Sequence, residues 1–216
     1  MKKLMVLAFA LALEGALPAA VAVVQEVPSG VRPVYNSGTG VMPHGAQEAM
    51  PKASRQLARD SIRGVGVTPA MFCVFSALQF PGPDYDVGGL RCNLFYGECV
   101  NFDGFDFGLV GVARNHANGW LANLVCNIAY GDGVGVNTGI VNWYGGDFKG
   151  LQLGIANWAE SGDLWQLGFY NGVNDGQGVQ IGVINTAGMY QGFQVGLVNI
   201  IGHSDLPFLP ILNWHF

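Results

Sequence analysis

Three groups of side chains in this chain are of types that do chemistry. His203, Ser204 and Asp205 are consecutive and carry the three functional groups of a hydrolytic triad. Neighbouring side chains point apart, and triads are assembled from distant positions by geometry, so this trio reads as a turn. Asp84, Asp86, Glu98, Asp103 and Asp106 form a loose acidic group. A calcium site needs several oxygens at close spacing, whereas these are spread over two turns and read as solvated acids. Cys73, Cys92, Cys99 and Cys126 do not have zinc-site spacing, and His44, His116, His203 and His215 lie far from them in sequence. Cys92 and Cys99, the closest two, flank a turn and are expected to pair in an oxidising compartment, although four cysteines allow three connectivities. HExxH, GxSxG, Walker-type and CxxC motifs are all missing. The expectation is a non-enzyme with no catalytic residues, metal ligands or cofactor. A hydrolase set in a barrel wall would need Ser and His on one exposed face, and Ser204, His203 and His215 are too few to build one.

The elements that position these residues follow a single repeat. Asn127, Asn142, Asn157, Asn171, Asn185, Asn199 and Asn213 fall 15, 15, 14, 14, 14 and 14 residues apart. Gly139, Gly154, Gly168, Gly182 and Gly196 each stand three residues ahead of an Asn, and Gln152, Gln166, Gln180 and Gln194 keep the same period. The units read GLQLGIANWA (150–159), GVQIGVINTA (178–187) and GFQVGLVNII (192–201). A fixed period of this kind denotes repeat architecture. Apolar residues alternate with period two inside each unit, which is a strand pattern. A helix would carry an interior glycine in every copy, at about 1 kcal/mol each.

Two folds cover so many apolar strands without a helical layer. Short links such as ESGD (160–163) and NDGQG (174–178) suggest antiparallel neighbours, hence an all-β antiparallel meander closed as an outer-membrane-type β-barrel of about ten strands. Strands of about ten residues suit a bilayer. Leu212, Trp214 and Phe216 alternate at the C-terminus like a barrel assembly signal, and Trp120, Tyr130, Trp143, Tyr144, Trp158 and Trp165 could be girdle residues. Asp106, Asn137 and the four Gln would line a packed interior or a narrow pore, with outer-membrane lipid and the barrel-assembly machinery as partners. The alternative is a β-solenoid of 14–15-residue coils, a binding or adhesion module. It accounts better for the repeated Asn, because stacked identical amides form ladders.

The domain reading is 1–22 signal peptide, 23–68 irregular leader, and 69–216 repeat β domain. Lys2 and Lys3, the apolar run Leu4 to Leu13, and Ala20-Val21-Ala22 make a secretory signal. The leader is rich in Pro and Gly, with Arg55, Arg59 and Arg63 along a short helical stretch. Ten Lys plus Arg against 15 Asp plus Glu argue against a nucleic-acid partner.

The units GLQLGIANW, GVQIGVINT and GFQVGLVNI resemble the tandem surface-repeat proteins of bacteria, whose unit is Gly-x-Gln-x-Gly-x-x-Asn. The ending SDLPFLPILNWHF also looks like the close of that family. The resemblance covers about Phe105 to Phe216 and departs from the unit at Gly111, at Leu124 and in the Pro207/Pro210 strand. It implies an exported outer-membrane or cell-surface protein with no known catalytic residues.

Overall fold

The computed structural model describes residues 62–216. The expected signal peptide (1–22) and nearly all of the expected leader (23–68) lie outside the described residues. Nine strands follow: β1 (Val67–Phe75), β2 (Leu78–Phe80), β3 (Asp86–Cys99), β4 (Phe102–Ala113), β5 (Ala117–Ala129), β6 (Gly133–Thr138), β7 (Val141–Leu153), β8 (Ala156–Ile201) and β9 (Phe208–His215). They form one sheet in the order β2-β1-β3-β4-β5-β6-β7-β8-β9.

Every ladder from β1–β3 to β7–β8 is parallel, and each residue pairs with its counterpart one repeat later. Asn127 pairs with Asn142, Asn142 with Asn157, and Gln152 with Gln166. The chain therefore winds as a β-solenoid of about seven turns. The two halves of β5 pair with different partners, its first part with β6 and its second with β7. Each coil thus supplies two walls, and β8 continues this winding as one extended run through about three coils.

This winding overturns the antiparallel ten-stranded barrel. Only β1–β2 and β8–β9 are antiparallel, and both lie at the ends of the sheet. Parallel strands need a long return path, and in a solenoid the rest of the coil is that path, so short links do not imply hairpins. The pore goes with the barrel, since inward Gln152, Gln166, Gln180 and Gln194 are fully buried in a filled interior. The proposed partnership with outer-membrane lipid and barrel-assembly machinery loses its basis too. Leu212, Trp214 and Phe216 belong to the segment that closes the end of the solenoid, not to a barrel seam. The aromatic girdles also dissolve: Trp120 and Trp165 share one outward column, Trp143 and Trp158 are register neighbours in another, and Tyr144 is buried.

Glycine at the corner makes the coil this tight. A Cβ on Gly154 would intrude on the Gly139 carbonyl oxygen and the Asn142 amide, and Gly168, Gly182 and Gly196 repeat that contact one coil later each time. Next to the Asn column runs a dry inward column containing Cys99, Ala113, Ala129, Tyr144, Ala159, Val173, Ala187 and Ile201, all buried. The Tyr144 and Phe148 rings pack with centroids 4.5 Å apart, tilted at 43°. Large side chains of this kind contribute about 1.5–3 kcal/mol each when fully buried.

The C-terminal cap carries one strained residue. Ile211 has φ 72°, a left-handed conformation that costs a β-branched residue about 1–2 kcal/mol. It is 72% exposed, so little packing offsets that cost. Ile211→Asn is expected to raise stability by about 0.5–1 kcal/mol, read as a higher urea midpoint at constant slope. An unchanged or lower midpoint would show that the Ile side chain does something its exposure does not reveal.

Candidate functional site

The inward polar side chains form two buried ladders. Asn127 Nδ2 donates to Asn142 Oδ1 at 2.8 Å, and Asn142 to Asn157, Asn157 to Asn171 and Asn171 to Asn185 repeat that distance. Asn185 donates to Asn199 at 2.7 Å. The second hydrogen of each amide goes to a corner carbonyl one coil on, such as Leu153 O from Asn142 and Ile181 O from Asn171. A second ladder runs the opposite way: Gln166 donates to Gln152, Gln180 to Gln166 and Gln194 to Gln180, each at 2.7 Å. The two columns of amide dipoles therefore oppose each other, which limits the net field they build.

The ladders stop where the coil stops. Asn213 lies on antiparallel β9 opposite Gln194, so it leaves the Asn column: its Nδ2 donates to Asn199 O at 3.5 Å, and its Oδ1 accepts from the Trp214 N–H at 2.9 Å. Gln194 Oε1 is left buried without a partner, because no further coil presents an amide to it.

At the N-terminal end the Gln column becomes an ion pair. Arg91 and Asp106 are register neighbours and fully buried. Arg91 Nε and Nη2 donate to the two carboxylate oxygens at 2.9 and 2.6 Å. Asp106 also accepts from Asn93 and Asn123, at 2.6 Å each. Arg91 Nη1 donates to Val112 O at 2.9 Å, and the guanidinium lies 4.8 Å from the Phe102 ring centroid. Burial works against the Arg91 charge, but Asp106 beside it outweighs that and holds the group protonated. Asn123 then donates to Asn127 Oδ1 at 2.9 Å, tying the pair into the Asn ladder. Apart from Asn93 Oδ1, which is buried without a partner, the polar atoms of this cluster bond one another, and the site is closed to solvent, so the cluster is structural.

The sequence-derived candidates are scattered by the fold. Ser204 Oγ donates to Ile201 O at 3.1 Å, while His203 Nδ1 lies 3.0 Å from Gly188 O, so neither engages the other. The acidic group is divided among separate partners. Asp84 and Glu98 meet Arg114, Asp103 meets His116, Asp86 bonds Asn101 and the Gly64 amide, and Asp106 holds Arg91. No cluster of three or more metal-ligating side chains occurs among the described residues. An open groove of about 880 Å³ follows the polar corner of the coils past Asp132, Asp147, Glu160, Asp163, Asp175 and His203.

All four cysteines are free thiols. Cys92 alternates with inward Arg91 and Asn93 and so faces outward, whereas Cys99 lies in the dry inward column. The wall stands between them, which leaves the expected Cys92–Cys99 pair unformed here. Burial pushes Cys73 and Cys99 up to about 12 and Cys126 up to about 11. Alkylation of the native chain near pH 8 is therefore expected to modify Cys92 first and the other three only after unfolding. Equal rates at all four would contradict the burial of Cys73, Cys99 and Cys126.

The outer surface is divided by chemistry. One wall presents two parallel columns. The first holds Leu90, Phe105, Trp120, Val136, Leu151, Trp165, Val179 and Phe193, and the second Cys92, Phe107, Ala122, Thr138, Leu153, Leu167, Ile181 and Val195. Neither contains a charge, and Trp120 and Trp165 are 52% and 59% exposed. The carboxylates gather instead at the corner with the groove. Sequence reasoning missed the ion pair and this ribbon. Arg91 inside an apolar strand, one period before Asp106, was a readable signal for the first. The ribbon required knowing that successive units stack in register.

Parallel in-register coils, amide ladders and capped ends define a tandem-repeat β-solenoid. No family model, curated protein or solved structure matches the chain.

Proposed function

We infer that the chain is an exported, cell-surface β-solenoid that works as a non-catalytic binding module. The observation that carries this reading is the uncharged outward ribbon. Contiguous exposed apolar surface beyond a few hundred Å² marks an interaction site, and this ribbon crosses every coil from Leu90 to Phe193. The secretory pattern of the N-terminus and the resemblance to bacterial tandem surface-repeat proteins support the address. The dispersal of His, Ser and carboxylates supports the lack of catalysis, because a reaction needs these groups convergent.

Protease added to intact producing cells is expected to remove the chain, and a carbonate wash to release what remains. At concentrations low enough to leave the ribbon uncovered, the Trp120→Asp/Trp165→Asp variant is expected to keep its β-sheet circular dichroism and to lose at least about tenfold in hydrophobic-dye binding. A chain that protease reaches only after lysis, or a variant that binds dye as before, would contradict this function.

A further inference from the structure

We propose that the apolar ribbon is a self-association surface: two copies of this chain pack ribbon to ribbon, with the solenoid axes antiparallel. This rests on the binding-module reading above and names its partner. Area is the first argument. Eight rungs about 4.8 Å apart and two outward columns give a footprint of about 35 by 13 Å. Corrugated by side chains, that is on the order of the 800 Å² per partner that a standard interface buries.

Shape is the second argument. A two-fold axis along the strand direction, over the coil that holds Leu151 and Leu153, sets each column against itself in reverse order. Trp120 then faces the partner's Val179, and Val136 faces the partner's Trp165. In the second column Ala122 faces the partner's Ile181, and Thr138 faces the partner's Leu167. Large meets small at these four positions, as interdigitating sheets about 10 Å apart require, and the facing Phe105 and Phe193 rings fall at the two ends of the contact. Shifting the centre by half a coil sets Trp120 against the partner's Trp165 and loses this match. A parallel arrangement places Phe105 against Phe107 and Val136 against Thr138, crowding one coil and leaving a gap at another. Charge is the third argument: the columns hold none, and Lys149 and Asp147, which the two-fold brings nearest their own copies, lie at the corner beside the contact as a pair of opposite sign.

The test uses the purified chain with Cys92→Ser, which removes the outward thiol. Sedimentation equilibrium is expected to give a dimer. Leu151→Cys should cross-link to itself through a short bis-maleimide, because it lies at the two-fold. Trp120→Cys should cross-link when mixed with Val179→Cys, and not alone. Leu151→Asp should weaken the dimer at least about a hundredfold while leaving circular dichroism unchanged, since the side chain faces outward. A monomeric chain, a dimer that survives Leu151→Asp, or a Trp120→Cys self-cross-link would overturn the proposal. If a monomeric chain instead bound lipid vesicles or another protein through Trp120 and Trp165, the binding-module reading would stand and the self-association would fall.

Discussion

Asn171→Ala is expected to destabilise the chain by about 3–5 kcal/mol, more than any surface change and without altering its outer shape. Removing the amide leaves three buried groups short of a partner. Asn157 Nδ2 loses its acceptor at 2.8 Å, Asn185 Oδ1 loses its donor at 2.8 Å, and Ile181 O loses its donor at 2.9 Å. Each buried polar group left unmade costs about 1–3 kcal/mol, and the ladder polarises as a unit. The same change at the cap should cost less, because Asn213 stands outside the ladder, with one long bond to Asn199 O at 3.5 Å and one local bond from the Trp214 N–H at 2.9 Å. Urea unfolding of Asn171→Ala beside Asn213→Ala checks the ranking. Equal effects would mean that the interior amides do not form a continuous ladder.

The second large effect belongs to the ion pair. Asp106→Leu strips Arg91 of its counter-charge in a site closed to water, and breaking such a buried pair costs about 3–5 kcal/mol. Asn93 and Asn123 lose an acceptor as well, at 2.6 Å each. Arg91→Met/Asp106→Leu should recover a large share of the loss, because the unpaired guanidinium is then gone. Recovery stays incomplete, since both Asn amides remain unsatisfied. Chemical unfolding of the wild type and the two variants decides this. A double variant no more stable than Asp106→Leu would show that the neighbouring amides, not the charge, dominate the site.

The period, the strand character of each unit and the identity of the repeated Asn, Gln and Gly were all legible in the sequence. The winding was not, and the reason lies inside one unit. Val179, Gln180 and Ile181 alternate as a straight strand would, and Ile184, Asn185 and Thr186 do so again. The corner at Gly182 and Val183 interrupts them without Pro or an Asn-Gly pair. Read as one strand, Gln180 and Asn185 must point to opposite faces, which made Asn look lipid-facing. The turn at Gly182 reverses the parity, and both are fully buried. The odd spacing of Gln and Asn, kept in every unit, was the one cue that both belong inside. Asp106 reads in the sequence both as a solvated turn acid and as the lining of a barrel; it is buried in the solenoid interior, beside an Arg91 whose pairing was missed because it precedes the clear repeats. The ribbon on the outer wall needed the register, which no single unit contains.

The central claim is that equivalent residues stack one coil apart along a straight axis. Spin labels on the exposed corner column test it most directly. With one label at Asn118 and the other in turn at Val134, Lys149, Asp163, Gln177 and Gln191, dipolar spectroscopy on samples diluted with unlabelled chain gives five separations. The solenoid predicts a linear increase of about 4.8 Å per coil, reaching about 24 Å at Gln191. Separations that rise and then fall back, as they would around a closed barrel, would contradict the fold and the ladder, ribbon and pairing built on it.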